Sequence, residues 1–106
     1  MAFQKVNQQY PREVVERLNN RENIDVLDVR ESQEWVSGHI PVAKHIPLGQ
    51  LPGRINELNR AKEIVVVCHS GGRSGVACEI LSEKGFNVTN MVGGMSSWVG
   101  EVQQGL

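Results

Sequence analysis

Cysteine is scarce in this chain: Cys68 and Cys78 are the two thiols among 106 residues. Two thiols cannot build the disulfide framework on which small secreted folds depend, and neither sits in a C-x-x-C pair of the kind that holds zinc or runs thioredoxin-type exchange. At least one is therefore a working thiol or a core residue. His39, His45 and His69 share no helical spacing, so no metal site is read from them, and no motif calls for a cofactor. Long apolar runs are also missing. No stretch approaches the roughly 20 residues that a membrane helix requires. The opening MAFQKVNQQY has neither the basic flank nor the apolar run of a secretory signal. A cytoplasmic location with no membrane partner is the expectation. An excess of charge of one sign is absent too, with 11 basic against 12 acidic side chains and a formal net charge of −1. Nucleic-acid and anionic-membrane binding draw on clustered positive charge, and this balance makes no case for either.

The hydrophobic fraction is 40% with 22% charged residues. A chain of this size should bury roughly 65% of its unfolded surface, enough for one self-sufficient domain over residues 1–106. The pattern alternates strand and helix. Pro11 opens a helix whose Val14, Val15 and Leu18 share a face before Asn19-Asn20, and Ile24 to Val29 follow as a strand. A short helix over Ser32 to Val36 ends at Gly38, and Pro41 and Pro47 bracket an extended piece at His45-Ile46 on a surface loop. Leu51, Ile55 and Leu58 are spaced for one helical stripe. Ile64 to Val67 is a continuous β-branched run, the mark of a central strand covered on both faces. Val76, Ala77, Ile80 and Leu81 predict a helix ending at Lys84-Gly85, followed by a strand near Val88 to Val92 and a helix over Ser96 to Val102. Repeated β-α units imply an α/β domain with a mainly parallel sheet and helices on both faces.

Ligands of open parallel sheets bind beyond the carboxyl ends of the strands. Cys68 falls there, at the head of Cys68-His69-Ser70-Gly71-Gly72-Arg73-Ser74, which leads from the central strand into the next helix. Gly71 and Gly72 permit positive φ, so successive amides can turn inward and hold an anion, and Arg73 adds a fixed charge. A cysteine at such a position is expected to be acidified and to react as a thiolate. Alone, Cys68 would read as a small buried hydrophobe. The glycines, Arg73 and Ser74 around it favour a nucleophile.

The chain resembles the rhodanese-like sulfurtransferases in their single-domain form. Four segments carry the resemblance: Asp28-Val29-Arg30 with Glu31 to Trp35; Gly38-His39-Ile40-Pro41 with Ala43 and Ile46-Pro47-Leu48; Cys68 to Ser74; and Val92-Gly93-Gly94-Met95 through Trp98. Val42, where the family often has glycine, and His45, where it often has asparagine, depart from the pattern outside the reactive loop. The resemblance implies a three-layer α/β/α fold with a five-stranded, mainly parallel sheet, and a persulfide carried on Cys68. It implies a small sulfur donor, thiosulfate or a persulfide. The acceptor would be cyanide in the test tube and a small thiol or protein cysteine in a cell. In the substrate-binding loop, His69, Ser70, Gly71, Gly72, Arg73 and Ser74 would hold the donor and the terminal sulfur. Related phosphatases and arsenate reductases place five residues between cysteine and arginine. Here there are four, a tighter cradle suited to one sulfur. The alternative is a non-enzymatic module, or a relay protein that takes its sulfur from a partner's persulfide.

Asp28 and Arg30 lie near the same sheet edge and read as structural, Asp28 bonding loop amides and Arg30 pairing with Glu34. His39 reads as a hydrogen-bonded loop histidine, Trp35 and Trp98 as packing residues, and Cys78 as a structural thiol off the helical stripe.

Overall fold

The computed structural model describes residues 6–106. Five strands, β1 (Asn7–Gln9), β2 (Ile24–Asp28), β3 (Lys44–His45), β4 (Glu63–Val67) and β5 (Val88–Met91), form one sheet in the order β1-β5-β4-β2-β3. Every pairing is parallel. The helices are α1 (Pro11–Asn19), α2 (Ser32–Ser37), α3 (Leu51–Arg54) and α4 (Gly72–Glu83), with 3₁₀ turns at Leu48–Gln50, Ile55–Glu57 and Gly94–Ser97.

The β-branched run does take the centre, and the period of two in β4 divides the core. Ile64 and Val66 face one side with Leu27, Leu51, Ala77, Leu81 and Phe86, whereas Val65 and Val67 face the other with Val14, Val26, Ile40 and Met91. These four β4 side chains are fully buried, each worth roughly 1.5–3 kcal/mol of transfer free energy. Cys68 continues the Ile64/Val66 parity, so strand register aims its side chain toward α4.

Several elements differ from their sequence expectation. β1 carries no strand pattern, Asn7-Gln8-Gln9, yet it pairs with Thr89, Asn90 and Met91 as an exposed edge. The stripe from Leu51 to Leu58 yields only the four-residue α3 between two 3₁₀ turns, its first turn holding Pro52-Gly53. The extended piece before Pro47 is an edge strand, Lys44–His45, paired with β2, and Ile46 beyond it is buried. The buried face of α4 is Ser74, Ala77, Cys78, Leu81 and Ser82, while Val76 is exposed; two small serines on that face obscured the stripe.

Ser96 to Val102 forms no helix. Only a 3₁₀ turn at Gly94–Ser97 forms, Trp98 is extended at ψ 133°, and the chain then bridges antiparallel to His39 through Gln103. Val99 and Val102 remain exposed. The bridge instead satisfies the amides, with His39 N–H and Gln103 N–H donating to each other's carbonyls at 2.9 and 2.8 Å.

Candidate functional site

The carboxyl ends of β2 and β4 lie side by side, since Asp28 is the register partner of Val67. Cys68 follows Val67, and the chain reverses at Gly71, whose φ of 109° is open to glycine, before entering α4. The Gly71 amide donates to Cys68 Sγ at 3.0 Å, and the Ser74 hydroxyl oxygen lies 3.3 Å from the same sulfur. As the first turn of α4, Gly72, Arg73 and Ser74 present amides that no preceding carbonyl can accept, at the positive end of the helix dipole. Burial pushes the Cys68 thiol up. The hydrogen bond between Cys68 and the Ser74 side chain and those from the amides of Ser74, Gly71 and Ser70 outweigh it and hold the thiol below its usual value. Cys78, one turn deeper in the core, is pushed up to about 12 by burial with Cys68 adding to it, so it stays protonated.

The Arg73 guanidinium leaves the cradle. Its two terminal nitrogens donate to the two Glu34 carboxylate oxygens at 2.7 and 2.8 Å, joining the first turn of α4 to α2. Glu34 also accepts the Glu31 amide at 3.0 Å, and the Arg73 hydrogen bond, set against burial, lowers its carboxyl to about 2. Arg30, expected to pair with Glu34, pairs with Asp28 instead. Its Nη2 and Nε donate to that buried carboxylate at 2.8 and 3.0 Å, and Nη2 also donates to the Gly38 carbonyl at 2.8 Å. Asp28 takes one loop amide, that of Arg30, at 3.0 Å. The two-residue spacing on one extended strand end put Asp28 and Arg30 within reach, a nearer partner than Glu34.

Trp35 packs between two imidazoles, His39 at a centroid distance of 3.5 Å and His45 at 4.8 Å, both nearly parallel to it. His39 is buried and bonded through Nδ1 to the Trp35 carbonyl, and His45 Nε2 bonds to the Arg30 carbonyl, each at 2.8 Å. The Trp35–His45 pair ties α2 to β3. His69 and Ser70 are exposed at the mouth. Among the described residues no three His, Cys, Asp or Glu side chains gather as metal ligands would, and no helix is long and apolar enough to cross a membrane.

Sequence reading missed the part played by Gly94. With φ 58° and φ 81°, Gly94 and Gly93 turn the chain after β5 so that the Met95 and Ser96 amides donate to the carbonyls of Cys68 and His69 at 2.7 and 2.9 Å. A Cβ on Gly94 would stand 2.4 Å from the Cys68 carbonyl oxygen. Paired glycines after a strand signal a turn, but their partner is 25 residues upstream and invisible to local pattern.

The Rhodanese-like domain model matches residues 11–101. The chain belongs to the rhodanese-like domain family. YrkF of Bacillus subtilis, a candidate sulfur carrier protein by name, is 43% identical over 89 residues, 83% of this chain and 48% of its own length. The chain thus spans about half of that relative. YtwF of the same organism, a candidate sulfurtransferase by name, is 41% identical over 88 residues, 83% of this chain and 85% of its own. A crystal structure of a rhodanese-like domain protein from Staphylococcus aureus superposes with a TM-score of 0.88 at 29% identity, covering 95% of this chain and all of that one. The fold is rhodanese-like, with its five strands all parallel.

Proposed function

We propose that this rhodanese-like domain is a sulfurtransferase in which Cys68 is the nucleophile. Its thiolate attacks the outer sulfur of a sulfane donor such as thiosulfate. The donor's S–S bond breaks, sulfite leaves with the bonding electron pair, and the protein is left as Cys68–S–S⁻. An acceptor nucleophile, cyanide in the test tube or a thiol or protein cysteine in the cell, then takes the outer sulfur and releases the thiolate. The two displacements predict ping-pong kinetics.

The observation that carries this reading is the Gly71 amide on Sγ at 3.0 Å at the head of α4. In this reading the amides of Ser70, Gly71 and Ser74 are preorganised for a negative sulfur, as an oxyanion hole is for oxygen. On the same reading Gly71 and Gly72 let the loop close, Ser74 donates to the sulfur, His69 and Ser70 line the mouth, and Arg73 ties α4 to α2. Sulfur-transfer names among the relatives support the general role. The relay reading has its own support: the Arg73 charge is matched by Glu34, which reduces the pull on a small dianion and favours a donor presented by a partner protein. The test is the loading of wild type and Cys68→Ala with thiosulfate and with a thiol persulfide. Loading of wild type alone supports the proposal, with the persulfide preferred if relay is the natural route; equal loading of both proteins, or of neither, refutes it.

A further inference from the structure

The register of the sheet sets a row of side chains beneath α4: Gln8 on β1 pairs with Asn90 on β5, and Asn90 pairs with Val66 on β4. Cys68 is two residues beyond Val66 on the same face, and Ser74 on α4 spans the gap. The result is a continuous chain. Cys68 Sγ lies 3.3 Å from Ser74 Oγ, Ser74 Oγ lies 2.5 Å from Asn90 Oδ1, and Asn90 Nδ2 donates to Gln8 Oε1 at 3.2 Å. Ser74 and Asn90 are 0% and 7% exposed, whereas Gln8 is at the surface.

We infer that Asn90 is a positioning residue for Cys68, its amide turning so that the Ser74 hydroxyl proton points at the sulfur when the sulfur is anionic and away from it when it is neutral. The inference rests on Cys68 being the sulfur-carrying nucleophile. A hydroxyl has one proton. In the arrangement seen, Ser74 faces two acceptors, Asn90 Oδ1 at 2.5 Å and the Gly71 carbonyl at 3.2 Å, and gives its proton to the nearer; the sulfur must supply its own proton to Ser74, which suits a thiol. A thiolate or persulfide can only accept. Ser74 must then donate to sulfur, which would leave its lone pairs facing Asn90 Oδ1 at 2.5 Å. Turning the amide removes the conflict: Nδ2 donates to Ser74, and Oδ1 accepts from Gln8, whose exposed amide is free to turn as well. The one proton lost is the thiol's, to solvent. An amide can serve both states because it carries a donor and an acceptor on one planar group; a carboxylate or a hydrocarbon serves one at most.

The charged and titratable groups near Cys68 are few. On α4, Cys78 and Arg73 are within electrostatic reach, Arg73 with its guanidinium turned to Glu34 of α2. On β2 Asp28 and Arg30 are paired with each other, His69 is exposed, and the turn after β5 offers only the backbone of Gly94 and Met95. From β5 the neutral Asn90 reaches Ser74, the hydrogen-bond neighbour of the sulfur.

The test is the pH profile of Cys68 alkylation by iodoacetamide on the full chain, mapped by peptide. Asn90→Asp, an acceptor only, should raise the midpoint by about one unit, a roughly tenfold slower reaction below it. Asn90→Leu should not raise it. Gln8→Glu, a surface change that leaves the fold intact, should pin the Asn90 oxygen toward Ser74 and slow alkylation about threefold, an effect expected to vanish in the Asn90→Leu background. A Gln8→Glu effect that persists there is through-space charge and overturns the inference, as does an upward shift of equal size in Asn90→Asp and Asn90→Leu, or none in Asn90→Asp. Alkylation needs no sulfur transfer, so these outcomes stand apart from a failure of Cys68 to carry sulfur.

Discussion

Gly94→Ala places one methyl group where the turn after β5 meets the start of the reactive loop. The new Cβ would lie 2.4 Å from the Cys68 carbonyl oxygen and 2.5 Å from that of His69, both backbone atoms that no rotamer change can move. Ordinary C···O approach is about 3.3 Å, so the two segments must part by roughly 1 Å. Alanine at φ 58° adds about 1–2 kcal/mol of left-handed penalty. Parting the segments breaks the Met95 and Ser96 hydrogen bonds to Cys68 and His69, about 1 kcal/mol net each. The sum is about 3–4 kcal/mol of lost stability. Because a 1 Å misplacement can cost on the order of a hundredfold in rate, sulfur loading should fall by a similar factor. Urea unfolding followed by tryptophan fluorescence and the loading rate of the folded variant read the two effects. Gly53→Ala is the control, having nothing within 4 Å and no positive φ, and should be neutral or slightly stabilising. A Gly94→Ala protein within 0.5 kcal/mol of wild type on that reasoning, loading sulfur at the wild-type rate, would refute the docking of these two segments as the loop's support.

Asp28→Ala leaves the Arg30 guanidinium buried beside a missing partner and should cost about 3–5 kcal/mol in urea unfolding. Glu34→Gln removes the carboxylate that grips Arg73. With the Glu34 carboxyl lowered from 4.5 to about 2, its contribution is complete above 4.5 and fades as pH falls toward 2, so wild-type and Glu34→Gln stability curves should converge across that window. Cys78→Ala should keep sulfur-transfer turnover, and iodoacetamide at neutral pH should label Cys68 and spare Cys78, as peptide mapping would report.

The central strand was legible because its β-branched run has no other home than a sheet covered on both faces, and the loop after it because cysteine, glycines and arginine coincide at a strand end. The alternation of strand and helix patterns gave the α/β class, and the four family segments gave the five-stranded sheet. Local pattern failed where distant partners decide. Asn7-Gln8-Gln9 becomes a strand only because β5 offers it an edge, and Asn90 becomes interesting only once β1 and α4 close over it. Arg73 was read as facing a donor, whereas the structure turns it to Glu34, 39 positions earlier in the chain. Ser96 to Val102 was read as a helix; only the 3₁₀ turn at Gly94–Ser97 forms, and Gln103 farther on pairs with the backbone of His39.

Intact-mass and peptide mass spectrometry after treatment with a sulfane donor tests the main claim most directly. The account predicts a gain of one sulfur on the peptide that contains Cys68, removed by cyanide or a thiol and absent from Cys68→Ala. Sulfur found on Cys78, or a folded Cys68→Ala protein that gains it equally, would contradict the account.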